Sequence, residues 1–300
     1  MARVLQRYAT MTFKKLLCAT DFSPGAQKAM QVAIRLANEE DAELVIVHAW
    51  DAPTGFGAEL PVPTDVAQQL SDDAVGGLEA AVHDARAAGA KRVTSQLFAG
   101  TPWSTLVDVL DDPSFDLVVM GTHGRTALSR IVLGSVAEKV VRHSPCSVLV
   151  VRPDAQPAPF KHVLCPIDFS EYSQQALKLA GELSRRNAAA LTLLSVVEIN
   201  FYTGRRPAHY IHYLDRTARE LLHKSAAELE TTLSTPVTTR CSIGSPGGQI
   251  LALLDDDRSI DLVVMGSHGR TGIARAFIGS VAEKVVRHAG CPVLVTRKRS

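Results

Sequence analysis

The 300-residue chain contains most of itself twice. Asp116–Arg152, DLVVMGTHGRTALSRIVLGSVAEKVVRHSPCSVLVVR, aligns with Asp261–Arg297, DLVVMGSHGRTGIARAFIGSVAEKVVRHAGCPVLVTR, and 26 of the 37 positions are identical. Upstream, KKLLCATDFSPGAQKA near residue 14 answers KHVLCPIDFSEYSQQA near residue 161. The offset is 147 residues between Asp21 and Asp168, and 145 between Gly121 and Gly266. A period this long exceeds the roughly 20–50 residues of a solenoid repeat and matches one domain. The chain therefore reads as two tandem domains, residues 1–152 and 153–300. They are joined near 153–160, where RPDAQPAPF carries three prolines that oppose a helix.

Each half alternates short apolar runs with helical patterns. LLCAT (16–20), ELVIVHAW (43–50), RVTSQLFA (92–99), DLVVM (116–120) and SVLVV (147–151) read as strands. Ser23-Pro24 opens a helix, with Ser as N-cap and Pro at the first helical position. Ala26, Ala29, Met30, Ala33, Ile34 and Ala37 recur at spacings of three and four and give it one apolar face. Further helices are predicted over Thr64–Ala88, ended by Gly89, from Pro102 to about Leu110, and over Ser135–His143. The second half repeats the order. Apolar strands separated by helices predict a five-stranded parallel sheet covered on both faces, a doubly wound three-layer α/β domain. Such sheets bind ligands at the carboxyl ends of their strands, near the topological switch point.

Composition removes several alternatives. With 46% hydrophobic and 21% charged residues, each half has material for a core. The 32 basic and 31 acidic residues leave a net charge of +1, which argues against a general binder of nucleic acid. No apolar run reaches the roughly 18–20 residues that span a bilayer, so no membrane partner is expected. MARVLQRYATMTFKK has no apolar signal core, which makes the cytoplasm the expected compartment. Five cysteines without a CxxC suggest neither a disulfide framework nor a zinc site. Cys18, Cys146, Cys165 and Cys291 read as small buried hydrophobes, while Cys241 has no counterpart in the other half.

The turn after the fourth strand carries the chemistry. Gly121-Thr122-His123-Gly124 follows LVVM directly, and nine residues later Gly134-Ser135 opens a helix. The second half has Gly266-Ser267-His268-Gly269 and Gly279-Ser280 at the same spacing. Glycines at a strand end, followed by an exposed helix N-terminus, make an anion cradle to which Ser135 and Ser280 add hydroxyls. Phosphate is the anion expected; the alternative is that each glycine only makes a turn. Asp21 and Asp168 close the first strand of each half. Each can accept from a ribose or a base, or can cap the helix that follows. Adjacent first and fourth strands would place Asp21 and Gly121 around one crevice. His123 and His268 have no orienting carboxylate in sequence. Arg125 and Arg270 either shield phosphate or face water, and so do Arg205 and Arg206.

The pattern G-x2-G-x9-G-[ST] after a hydrophobic strand, with an Asp closing strand one, resembles the nucleotide-binding subclass of the universal stress protein family. The resemblance covers essentially the whole chain as two copies, and LVVMGTHGRT…GSVAEKVV and LVVMGSHGRT…GSVAEKVV carry it. It implies a Rossmann-like fold of the adenine nucleotide alpha hydrolase type, with ATP as ligand and Mg²⁺ arriving on its phosphates. Carried over by position, it implies a first site of Asp21, Ala49, Met120, Gly121, Gly124, Gly134, Ser135 and Val136. The second site is Asp168, Val196, Met265, Gly266, Gly269, Gly279, Ser280 and Val281. It also implies that the fifth strands pair within the chain as a pseudo-dimer, with a homodimer as a further state.

A nucleotide-binding regulatory protein of the stress response is the function expected. The alternatives are a slow Mg²⁺-dependent ATPase, a nucleotidyl- or phosphotransferase, or a module in which the glycines only make turns. No GxxxxGK[ST] is present, and no GxGxxG opens the first crossover.

Overall fold

The computed structural model describes residues 13–51, 64–122, 133–155, 159–198, 208–233, 236–269 and 278–297. These fall into two compact units, one holding residues 13–155 and the other residues 159–297.

The first unit runs β1 (Lys15–Ala19), α1 (Pro24–Glu40), β2 (Glu43–Trp50), α2 (Thr64–Ala87), β3 (Val93–Ala99), α3 (Pro102–Leu110), β4 (Leu117–Gly121), α4 (Ser135–His143) and β5 (Ser147–Val151). The second runs β6 (His162–Pro166), α5 (Glu171–Asn187), β7 (Ala190–Val197), α6 (Ala208–Leu233), β8 (Val237–Ile243), α7 (Pro246–Asp256), β9 (Leu262–Gly266), α8 (Ser280–His288) and β10 (Val293–Thr296). Each element follows the sequence pattern to within a residue or two. In α1 the Ser23 Oγ accepts from Ala26 N at 3.3 Å and Pro24 stands in the first turn, while the stripe Ala26, Ala29, Met30, Ala33, Ile34, Ala37 is buried. Gly89 adopts φ +92°, and Ala90 N donates back to Ala85 O at 2.9 Å, closing α2 as a left-handed cap does.

Within the first unit the strand order is β3-β2-β1-β4-β5, all parallel. Within the second it is β8-β7-β6-β9-β10, also parallel. The central pairs set Leu16 beside Leu117 and Cys18 beside Val119, and likewise Val163 beside Leu262. These side chains have no exposed surface, as expected for strands covered on both faces. The edge strands β3 and β8 depart from the apolar pattern. In β3, Thr94, Ser95 and Gln96 are exposed, because an edge strand is only partly covered by its flanking helices.

The chain leaves β1 toward β2 and leaves β4 toward β5, so the two connections diverge from neighbouring strands. That divergence opens a crevice at the carboxyl ends of β1 and β4, and of β6 and β9. No described helix is long and apolar enough to cross a membrane.

Candidate functional site

The segment after the first strand has the same shape in both units. Phe22 and Phe169 adopt φ +65° and +66°, a left-handed backbone that a bulky side chain rarely takes. The kink is held by the aspartate before it. Asp168 Oδ1 accepts from Ser170 N at 3.0 Å and from Ser170 Oγ at 2.6 Å. Asp21 Oδ1 accepts from Ser23 N at 3.1 Å. The serines cap the helices, since Ser170 Oγ also accepts from Ser173 N at 3.3 Å. Helix capping is thus not the aspartates' role; they brace the turn that carries the cap.

Across the crevice in the second unit, β9 ends at Gly266. Ser267 is buried, donates its N–H to Thr296 O at 3.1 Å, and its Oγ bonds His268 Nδ1 at 3.0 Å. The His268 ring lies 5.1 Å from that of Tyr172, tilted by 43°. Gly279 N donates to Ser267 O at 2.7 Å, and Gly134 N donates to Thr122 O at 2.7 Å in the first unit. One hydrogen bond thus ties the glycine turn to the start of the following helix in each unit. Gly134 and Gly279 are the N-caps of α4 and α8, and as glycines they bring no side-chain acceptor to the first N–H groups. Ser135 and Ser280 begin these helices and are exposed, and Val136 and Val281 follow half-buried.

The glycines divide by role. A Cβ on Gly121 would stand 3.0 Å from the Gly25 carbonyl carbon, and one on Gly266 would stand 2.9 Å from that of Tyr172. These two glycines let the end of the fourth strand touch the first turn of the neighbouring helix. Gly269 is different. A Cβ there would stand 2.8 Å from Asp168 Oδ2, so the glycine turn and the carboxylate share the mouth of the crevice. A Cβ on Gly279 would lie 3.2 Å from Ser267 O and 3.5 Å from His268 Cα, against the same turn.

Asp168 and Gly269 line a cavity of about 570 Å³ together with Phe169, Glu171, Tyr172 and Leu221. Ala49 and Val196 sit at the carboxyl ends of β2 and β7, two residues beyond the carbonyls of Val47 and Leu194 that accept from Thr20 N and Ile167 N. Met120 and Met265 are buried, so their side chains belong to the core and only their main chain faces the strand ends. Gly124, His123, Arg125, Arg270, Arg205 and Arg206 lie outside the described residues. The structure therefore brings Asp168, Gly269 and Gly279 together in the second unit, with Ser280 next in sequence, and describes Asp21, Gly121, Gly134 and Ser135 in the first. Sequence reasoning missed Glu171, Tyr172 and Leu221. The first two were visible as a difference between the halves, EY at 171–172 against PG at 24–25. Nothing local marked Leu221, which the long α6 brings over the crevice.

A further charged cluster centres on Glu182. Glu182 is buried and accepts from Arg185 Nη2 at 2.7 Å and Arg186 Nε at 2.6 Å. The Arg185 hydrogen bonds, with those of Arg186 behind them, hold its carboxyl below the ordinary range against the opposing effect of burial. Burial pushes the Cys18 thiol up to about 12 and raises Cys165 in the same direction. Cys146 is buried too, while Cys291 is only half-buried, short of the expected core position.

Comparison with known proteins agrees with this architecture. Residues 12–152 and 159–297 each match the model of the universal stress protein family. A universal stress protein of Mycobacterium tuberculosis is 31% identical over 301 residues, covering 94% of this chain and 96% of that one. Another, from Mycobacterium bovis, is 32% identical over 268 residues, covering 85% and 87%. The crystal structure of a universal stress protein from Archaeoglobus fulgidus shares the fold, with a TM-score of 0.68 at 21% identity over 95% of this chain and 98% of that one. Two tandem family domains, each with its strand-end aspartate and its glycine turn tied to a helix start, span the sequence, and the chain belongs to the universal stress protein family.

Proposed function

We propose that this protein binds ATP in the crevices at the carboxyl ends of β1/β4 and β6/β9, and that occupancy governs a regulatory role in the stress response. The observation that carries the reading is the meeting of the Asp168 carboxylate with the Gly269 main chain beside the start of α8. A carboxylate there accepts from ribose hydroxyls. The N–H groups at the start of α8, with the Ser280 hydroxyl, offer donors and a positive dipole end to phosphate. The residues also fit by charge. Asp168 and Glu171 make one side of the cavity acidic, which leaves the phosphates to the α8 side. The main chain at Val196 and Met265 edges the adenosine side. In the first unit Asp21, Ala49, Met120, Gly121, Gly134, Ser135 and Val136 take the same parts, with Gly124 assigned from the sequence motif alone. Among the described residues no group of three or more His, Cys, Asp or Glu side chains is placed to hold a metal, so Mg²⁺ would be carried by phosphate oxygens.

The test is direct. Purified protein is acid-denatured and the released small molecules are identified by mass spectrometry, and apoprotein is melted with and without Mg·ATP. At about 100 times Kd one site adds about 2.7 kcal/mol, a rise of roughly 5–10 °C for a domain of this size. Absence of both an adenine nucleotide and any shift at millimolar Mg·ATP overturns the reading.

A further inference from the structure

The two units end in matching helix pairs, and only one of them sets an indole between its helices. In the first unit Trp103, in the first turn of α3, lies against α4. Lys139 Nζ sits 5.0 Å from the Trp103 ring centroid, and the His143 ring lies 5.6 Å away, tilted by 42°. In the second unit α8 repeats α4 residue for residue, SVAEKVVRH, which supplies Lys284 and His288. The helix opposite starts the same way. Gly100 (φ +145°), Thr101 and Pro102 are matched by Gly244 (φ +143°), Ser245 and Pro246. The next residue is Trp103 in one unit and Gly247 in the other. The indole is missing, and the Lys284 stem lies across the bare glycine, where a Cβ would meet Lys284 Cδ at 2.9 Å. Beside it is a cavity of about 330 Å³ lined by Leu251, Leu254, Asp255, Lys284, His288 and Gly290.

We propose that this cavity between α7 and α8 binds a free planar aromatic molecule of indole size. The first unit shows what such a helix pair accommodates: a flat π-face under a lysine ammonium and beside an imidazole. In the second unit the floor is Leu251 and Leu254, the cation is Lys284 and the ring is His288. An ammonium over an aromatic face is attractive, most of all with indole. The volume is at the lower end for small-molecule sites, which suits one ring system rather than a nucleotide. The site shares no residue with the crevice at Asp168 and does not depend on what that crevice binds.

The experiment is indole titration of the full-length protein, followed by ligand-observed NMR, with three variants. Gly247→Trp rebuilds in the second unit the plug of the first; the contact it creates is with a flexible lysine stem, which moves aside. Trp103→Gly opens the matching groove in the first unit. Lys284→Met keeps the stem and removes the charge. The expected result is one saturable indole site in the wild type, none in Gly247→Trp and two in Trp103→Gly. Lys284→Met should bind about three-fold more weakly, from loss of the cation. Circular dichroism establishes that each variant is folded, and Lys284→Met, a surface change, serves if Gly247→Trp is not. The proposal is overturned if the wild type shows no saturable binding, if folded Gly247→Trp binds like the wild type, or if Lys284→Met is unchanged. N-acetyltryptophanamide is titrated in parallel. Saturable binding of the amide without binding of indole overturns the free-ligand reading.

Discussion

Asp168 and Gly269 lie on different strand ends, 101 residues apart in sequence, yet a single carbon added to the glycine would stand 2.8 Å from the Asp168 Oδ2. This proximity sets the two most conspicuous repeated motifs on the lining of one cavity. It also sets the sign of the first prediction. Gly269→Val crowds the carboxylate and the space beside it, and Asp168→Ala removes the acceptor without backbone strain. Combined with Asp21→Ala, Asp168→Ala is expected to abolish the ATP-induced rise in melting temperature. A wild-type shift in both the double aspartate variant and a Gly124→Val, Gly269→Val double variant removes these residues from the site.

Gly266 also serves packing. Its missing Cβ would meet the main chain of Tyr172 at 2.9 Å, and backbone cannot rotate away as a side chain can. Gly266→Ala is expected to cost about 1–3 kcal/mol of unfolding free energy in urea, as overpacking does. Gly121→Ala, against Gly25 at 3.0 Å, should fall in the same range.

Ala188 caps α5 with φ +50°, exposed and left-handed. An L-residue is disfavoured there and glycine is not. Ala188→Gly should therefore stabilise the protein by about 1 kcal/mol, less the greater chain entropy of glycine when unfolded. A lower melting temperature for the variant would refute this.

Acid acts through Glu182. The hydrogen bonds from Arg185 and then Arg186 keep its folded pKa below the unfolded one. The stability this contributes is present above the ordinary carboxylate range and is lost as pH falls through the folded value. Glu182→Gln should be less stable than wild type near neutrality, with the gap narrowing on acidification. A gap that is constant from about pH 7 to about pH 3 contradicts the assignment.

The thiols should be poor nucleophiles in the folded state. Burial holds Cys18 at about 12 and raises Cys165. Desolvation, with the Asp215 carboxylate beside it, holds Cys241 at about 11. Since the thiolate is the reactive form, these three should resist iodoacetamide at about pH 8 in native buffer and react in guanidinium. Peptide mapping after the two treatments reads this out, and rapid native labelling of Cys241 would count against the assigned environment.

Local rules determined much of this protein. A duplicated block fixes two domains, apolar runs of four to eight residues mark the strands, and Ser-Pro and Gly-Ser pairs mark helix starts, because propensity and capping act over a few residues. The same locality made Asp21, Asp168 and the glycine turns legible as motifs. The tertiary structure decided what those motifs touch. That β1 lies beside β4, that Gly266 faces a helix backbone while Gly269 faces a carboxylate, and that Phe22 and Phe169 take left-handed φ all follow from the packing of distant segments. So does the contrast between Trp103 and Gly247: the sequence shows two different letters, and only the packing of α3 on α4 and of α7 on α8 shows an indole under Lys139 in one unit and a Lys284 stem beside a cavity in the other. Contacts across a hundred residues depend on how helices settle on a twisted sheet, and no short window of sequence records that.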